Sequence, residues 1–179
     1  MDPFASIAAK RDSAATLSFG VEGIRLLKAV EQLRLMPYDD QTKKEISSWV
    51  QGATIGYGHL IKASEWQTYK DGITESLADN LFDTDLAPAV KAVRNSISAQ
   101  VSQNEFDAMV IFAFNIGASG FSGSSVAKLV NDPLSVTSYD DLESAWKAWN
   151  KSQGQIMKGL VNRRNCEWKI FSRGIYERW

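Results

Sequence analysis

One cysteine, Cys166, and one histidine, His59, serve a chain of 179 residues. A single cysteine excludes an intrachain disulfide. One histidine and one cysteine cannot assemble a typical zinc site, so neither a metal nor any other cofactor is expected. Cys166 stands beside Glu167 and Trp168 in a helical stretch, where a packed thiol is the natural reading and a nucleophile is not. No apolar run approaches the roughly 20 residues that cross a bilayer. Met1 to Thr16 lacks a long apolar core flanked by basic residues, so no signal peptide is read there. Repeats, low-complexity tracts and an interdomain linker are also missing.

What is present is enough for a core. Hydrophobic residues make up 44% of the chain, with six tryptophans and eight phenylalanines, which excludes a disordered chain. The length suits one domain, or one domain in two lobes. The net charge of −1 conceals an asymmetry. From Lys147 onward eight basic residues face two acidic ones, a local charge of +6 that leaves −7 for the rest. A basic C-terminal face suits an anionic partner; a solvated helix face is the competing reading. No nucleic-acid-binding motif accompanies these residues, so a nucleic acid is not the expected partner.

Apolar positions at three-to-four spacing predict a helix over residues 18–32, carrying Glu31 near its C-terminal end and stopped by Pro37. Residues 46–50 and 53–58 read as short strands, with Gln51-Gly52 as a turn between them. Gly56 and Gly58 permit close backbone approach. Helices are then predicted from Ser64, from Thr74 and from Pro88 to about Ile97. The Ser102-x-x-Glu105 capping box opens another, 103–116, whose apolar residues face several directions and mark it as buried. Residues 117–125 read as a Gly/Ser-rich loop leading into a short helix. Ser138 to Asp141 starts a helix through Trp146 and Trp149. Gly154 breaks the chain, and Leu160 to about Ser172 forms the last long helix.

Chemistry concentrates around Glu31. Asp40 follows it by nine residues, and Thr54-Ile55-Gly56-Tyr57-Gly58-His59 comes after. Two carboxyls in unlike surroundings can hold unlike pKa values, which is what cleaving a glycosidic bond requires. Two decoys compete. Glu22 begins a Glu-x-x-Arg-Leu run as Glu31 does, but no tyrosine and aspartate follow it at the spacing of Tyr38 and Asp40 from Glu31. Asp39 competes with Asp40, and reads instead as a solvated turn residue.

The segment Glu31-Gln32-Leu33-Arg34-Leu35-Met36-Pro37-Tyr38-Asp39-Asp40, with Thr54 to His59, resembles the phage lysozyme (endolysin) family. The resemblance continues through Gln103 to Ala108, Phe112 to Gly117, and Gly159 to Arg164 with Glu167, in family order. It implies an α+β, lysozyme-like fold: a small β-containing lobe over about 38–62, and a larger all-helical lobe over about 63–179 joined by the 18–32 helix. A cleft would lie between the lobes, all within one catalytic domain, residues 1–179.

The resemblance further implies that Glu31 is the general acid, that Asp40 positions or activates the attacking water, and that Thr54 helps hold it. Arg163 matches an arginine that pairs with the catalytic glutamate, and Asn115 a polar position facing the cleft. Tyr38, Tyr57 and His59 are candidate substrate-binding or supporting residues; His59 would support the fold of the small lobe. The helix dipole would hold Glu31 protonated, and Arg163 would push the other way. The chain departs from the family pattern between Asp40 and Thr54, where thirteen residues stand in place of about half as many. A longer hairpin accommodates them. Its Trp49 would stack on a sugar face or pack beneath the hairpin.

The activity so implied is a muramidase hydrolysing the β-1,4 bond between N-acetylmuramic acid and N-acetylglucosamine. Peptidoglycan is then the partner of a monomeric enzyme made in the host cytoplasm and released to the wall, with a holin-type pore for export. A lytic transglycosylase is the first alternative; Asp40 and Thr54 argue against it because that reaction needs no water-holding aspartate. The second is a wall- or membrane-binding protein that meets an anionic outer-membrane surface through its basic C-terminal segment.

Overall fold

A computed structural model of the chain describes residues 10–179, so residues 1–9 of the stretch read above for a signal peptide lie outside it. In chain order the elements are β1 (Asp12–Ser13), α1 (Val21–Glu31), β2 (Arg34–Asp39), β3 (Ala53–Gly56), β4 (His59–Leu60), α2 (Trp66–Tyr69), α3 (Glu75–Ser96), β5 (Gln100–Val101), α4 (Gln103–Ile116), α5 (Ala118–Ser122), α6 (Ser125–Asn131), α7 (Leu142–Lys147), β6 (Lys151–Ser152), β7 (Gln155–Ile156) and α8 (Lys158–Arg173). The class is α+β, as expected. The chain divides into two compact units: Ile24–Pro88 with Arg178, and the remainder.

The unit Ile24–Pro88 is built on an antiparallel sheet in the order β2-β3-β4. Tyr38 pairs with Thr54, Asp39 with Ala53, and Ile55 with His59. All four residues of β3 are buried, which suits the central strand of a covered sheet. Ala53, Ile55, Ile61, Trp66 and Leu81 form its apolar core, with Ile46, Val50, Tyr69 and Ile73 packed against them.

Three expectations need correction here. Helix α1 ends at Glu31, before Pro37 is reached. Gln32 turns left-handed at φ +59°, and its N–H closes on the Lys28 carbonyl at 3.1 Å. A non-glycine residue in that conformation costs about 1–2 kcal/mol. Pro37 instead sits in β2, an edge strand, where a missing donor is tolerated. Residues 46–50 form no strand. Only Glu45 bridges to Tyr38, and Ile46 N–H donates to Pro37 O at 3.0 Å; Ile46 and Val50 spend their apolar surface on the core. The 53–58 stretch stops pairing as β3 at Gly56, and Tyr57-Gly58 turns into β4.

Helix α3 runs unbroken through Pro88, where two helices were expected. Ala78, Phe82, Leu86, Ala89 and Val93 are buried at three-to-four spacing on both sides of the proline. That continuous apolar stripe outweighs one missing backbone bond.

In the other unit, α4 is the central element. Every residue from Phe106 to Ala113 is buried, as its all-round apolar character predicted. Its capping box forms: Ser102 Oγ accepts from Glu105 N–H, while Ser102 N–H donates to the Glu105 carboxylate at 2.9 Å. The expected loop at 117–125 contains helix α5, held by the fully buried Phe121. Helix α7 is capped by Asp141 and ends at Lys147, so Trp149 falls beyond it. Around Gly154 the chain forms the β6-β7 hairpin, with Gln153 and Gly154 both at positive φ in its turn. The β1-β5 pair spans two residues on each strand.

A buried ionic group lies between α4, α7 and α8. Glu167 is 0% exposed. It accepts from Trp146 Nε1 at 3.0 Å, Arg163 Nε at 3.1 Å and Arg164 Nη2 at 2.8 Å. Arg164 Nη2 also reaches Asn115 Oδ1 at 2.7 Å, and its guanidinium lies over the Phe112 ring. Burial pushes Glu167 up and Arg164 down to about 10. A second buried carboxylate, Asp107, accepts from Gly20 N–H, Gln103 Nε2 and Tyr176 OH, all within 2.7–2.8 Å. Burial raises Asp107, and burial with the Asp107 bond raises Tyr176.

Candidate active site

The unit Ile24–Pro88 carries a cavity of about 600 Å³ whose wall includes Glu31, Asp40, Thr54, Tyr38, Arg34 and Lys43, together with Gln32, Gly52 and Gly58. Glu31 is the last residue of α1, close to the place near the helix end expected for it. Its carboxylate lies against Gly58: a Cβ on that glycine would stand 3.6 Å from Glu31 Oε2. Gly58 holds φ +91° in the β3-β4 turn, a conformation that glycine adopts at little cost.

Asp40 follows β2 directly, and its N–H donates to Gly52 O at 3.1 Å. Its Oδ1 meets Lys43 Nζ at 2.5 Å, with both side chains about 60% exposed. Lys43 comes from the extra segment between Asp40 and Thr54. It is held left-handed at φ +58°, with its N–H on Asp39 O at 2.8 Å and its carbonyl on Arg34 Nη1 at 3.0 Å.

Thr54 is 4% exposed, and its hydroxyl donates to Gly52 O at 2.9 Å. With the proton committed there, Oγ1 turns its lone pairs elsewhere as an acceptor. Tyr38 is the cross-strand partner of Thr54 and lines the same cavity. Arg34 lies over the Tyr38 ring at 4.8 Å. Burial is the main cause that raises the Tyr38 phenol; Asp40 and Glu31 act in the same sense, while Lys43 and Arg34 oppose.

Asp39 takes the other role anticipated for it. It binds its own turn, accepting from Gln41 N–H and Thr42 Oγ1, both at 2.9 Å, and these bonds hold its carboxyl below the usual range.

Tyr57 and His59 are not among the residues that line this cavity. Tyr57 packs edge-on against Phe82 at 5.5 Å under the Lys28-Asp79 ion pair. His59 Nδ1 meets Asp85 at 2.9 Å, and its ring stands edge-on to Tyr69. The Asp85 bond is the main cause that raises His59. Asn115 and Arg163 belong to the buried group around Glu167. Trp49 is 40% exposed, its indole N–H donates to Ile61 O at 2.9 Å, and it is not among the cavity's lining residues. Sequence reasoning gave Gln32, Arg34 and Lys43 no role at the cavity. Gln32 and Arg34 were within reach of it, since both lie inside the quoted motif; Lys43 sits in the segment without a family counterpart. No group of three or more histidine, cysteine, aspartate or glutamate side chains able to hold a metal ion occurs among the described residues, and no described helix is long and apolar enough to cross a membrane.

A helix that ends on a carboxylate, set against a small sheet whose first connection carries a second, defines a lysozyme-like protein. The fold matches the solved endolysin from Escherichia coli O157:H7 phage FAHEc1 with a TM-score of 0.71 at 27% identity, covering 91% of this chain and 98% of that one. It also matches the muramidase domain of SpmX from Asticaccaulis excentricus, with a TM-score of 0.65 at 31% identity, covering 87% and 97%. The phage lysozyme family model matches residues 28–167, and the chain belongs to that family. Among curated relatives, the endolysin of Bacillus phage PZA is 33% identical over 153 residues, 85% of this chain and 54% of that protein. The chain spans about half the length of the Bacillus phage endolysins that it matches.

Proposed function

We propose that the chain is a peptidoglycan-degrading muramidase that acts at the bacterial cell wall and causes lysis. The observation that carries this reading is that Glu31, Asp40 and Thr54, drawn from a helix end, a strand end and a central strand, line one cavity. Glu31 stands as the general acid, protonating the glycosidic oxygen as an oxocarbenium-like transition state forms. Asp40 and Thr54 both present acceptors. A water that donates its two hydrogens to them keeps a lone pair for the anomeric carbon. Lys43 pairs with Asp40 on the same wall.

Tyr38 and Arg34 complete the wall as substrate contacts, with Asn115, Arg163, Tyr57 and His59 in supporting places. The family membership and the endolysin and muramidase names of the similar proteins support the same substrate.

Mass spectrometry of fragments released from purified peptidoglycan by wild type and by Glu31→Gln tests this reading. Ordinary reducing muramic-acid ends from wild type alone are the expected result. Anhydro ends would replace it with transglycosylase chemistry. Equal release by the variant would remove Glu31 as the acid.

A further inference from the structure

We propose that Gln32 is a specificity-determining residue that recognises the acetamido group of the sugar bound beside Glu31; this rests on the muramidase reading above. Three non-glycine residues hold positive φ among those described: Gln32, Lys43 and Gln153. Gln153 serves the β6-β7 turn. Lys43 is tied by Asp39, Arg34 and Asp40. Gln32 has no such account. It ends α1 in the left-handed position that glycine fills without strain, and only its backbone N–H is engaged, by Lys28 O. Its side-chain amide bonds to no protein group among the described residues. Yet it lines the cavity next to Glu31.

Strain of this kind persists where the side chain has work to do. Four charged residues stand in the wall around it: Glu31, Asp40, Arg34 and Lys43. Gln32 adds a neutral carboxamide that offers a donor and an acceptor together. A secondary amide needs that pair in reverse. The acetamido groups are the secondary amides of the glycan itself.

The test compares wild type, Gln32→Gly and Gln32→Ala on insoluble peptidoglycan and on the same material chemically de-N-acetylated, by turnover and by co-sedimentation. Wild type is expected to favour the acetylated wall by roughly five- to tenfold in KM and in binding, the size of one to two neutral hydrogen bonds. Both variants lose that preference, while Gln32→Gly melts no lower than wild type because glycine relieves the strain. A preference that survives in either variant, or that wild type lacks, overturns the proposal. Co-sedimentation reads the preference without hydrolysis, so an inactive wild type would defeat the muramidase reading and still leave this one decided.

Discussion

Glu31 and Gly58 meet carboxylate to backbone: the acid lies where a side chain on the glycine would come into van der Waals contact with it. Gly58 also holds φ +91°. Gly58→Ala therefore strains the β3-β4 turn by about 1–3 kcal/mol and shifts the backbone on which the acid rests. The expected outcome is a lower melting temperature together with at least tenfold slower wall hydrolysis. Wild-type values for both would contradict this placement of the acid.

Asp40 separates activity from stability. Its ion pair with Lys43 is exposed, and such pairs contribute about 0–1 kcal/mol. Asp40→Asn should unfold within that margin of wild type in urea. Its turnover should fall by about a hundredfold or more, the range of general acid–base contributions. A fully active variant would leave the water without its proposed holder.

Glu167 predicts the reverse pattern. Removing this buried carboxylate takes the shared acceptor away from two buried guanidiniums. Glu167→Ala should cost about 3–5 kcal/mol in chemical denaturation. A loss below about 1 kcal/mol would show that water or rearrangement compensates the arginines.

His59 and Asp85 set a pH dependence. The folded His59 is raised above its ordinary 6.5, chiefly by the Asp85 bond. The stabilisation is fully present below pH 6.5 and is lost as pH rises through the folded value. Melting temperatures of wild type and Asp85→Asn should differ more at pH 5 than at pH 8. A gap that is constant, or wider at pH 8, would contradict the assignment.

The sequence revealed more of the cavity than of its frame. Glu31, Asp40 and Thr54 were legible because turn glycines, a helix end and a family motif all converge there. The α4 capping box and burial were legible because both signals are local. The 46–50 stretch misled because β-branched residues suit a strand ladder and an apolar core equally well. Pro88 misled because a proline is a local signal, while the stripe that overrides it spans some fifteen residues. The β6-β7 turn had a readable Gln-Gly pair, but flanking strands of two residues carry no alternation to confirm it. The basic C-terminal count assumed a surface. Arg163 and Arg164 are instead buried on Glu167, and Lys169 pairs with Glu177, because a charge tally contains no information on burial.

Asp107 gathers Gly20 and Tyr176, and Trp179 lies against Arg163 at 4.7 Å. For anyone trimming this protein for expression, the useful boundary is thus not the end of α8. A version cut at Arg173 would leave a buried acid short of one donor and a guanidinium without its aromatic cover. It should be digested by trypsin faster than a version that keeps Trp179, and a fusion partner is better attached after that tryptophan through a flexible spacer.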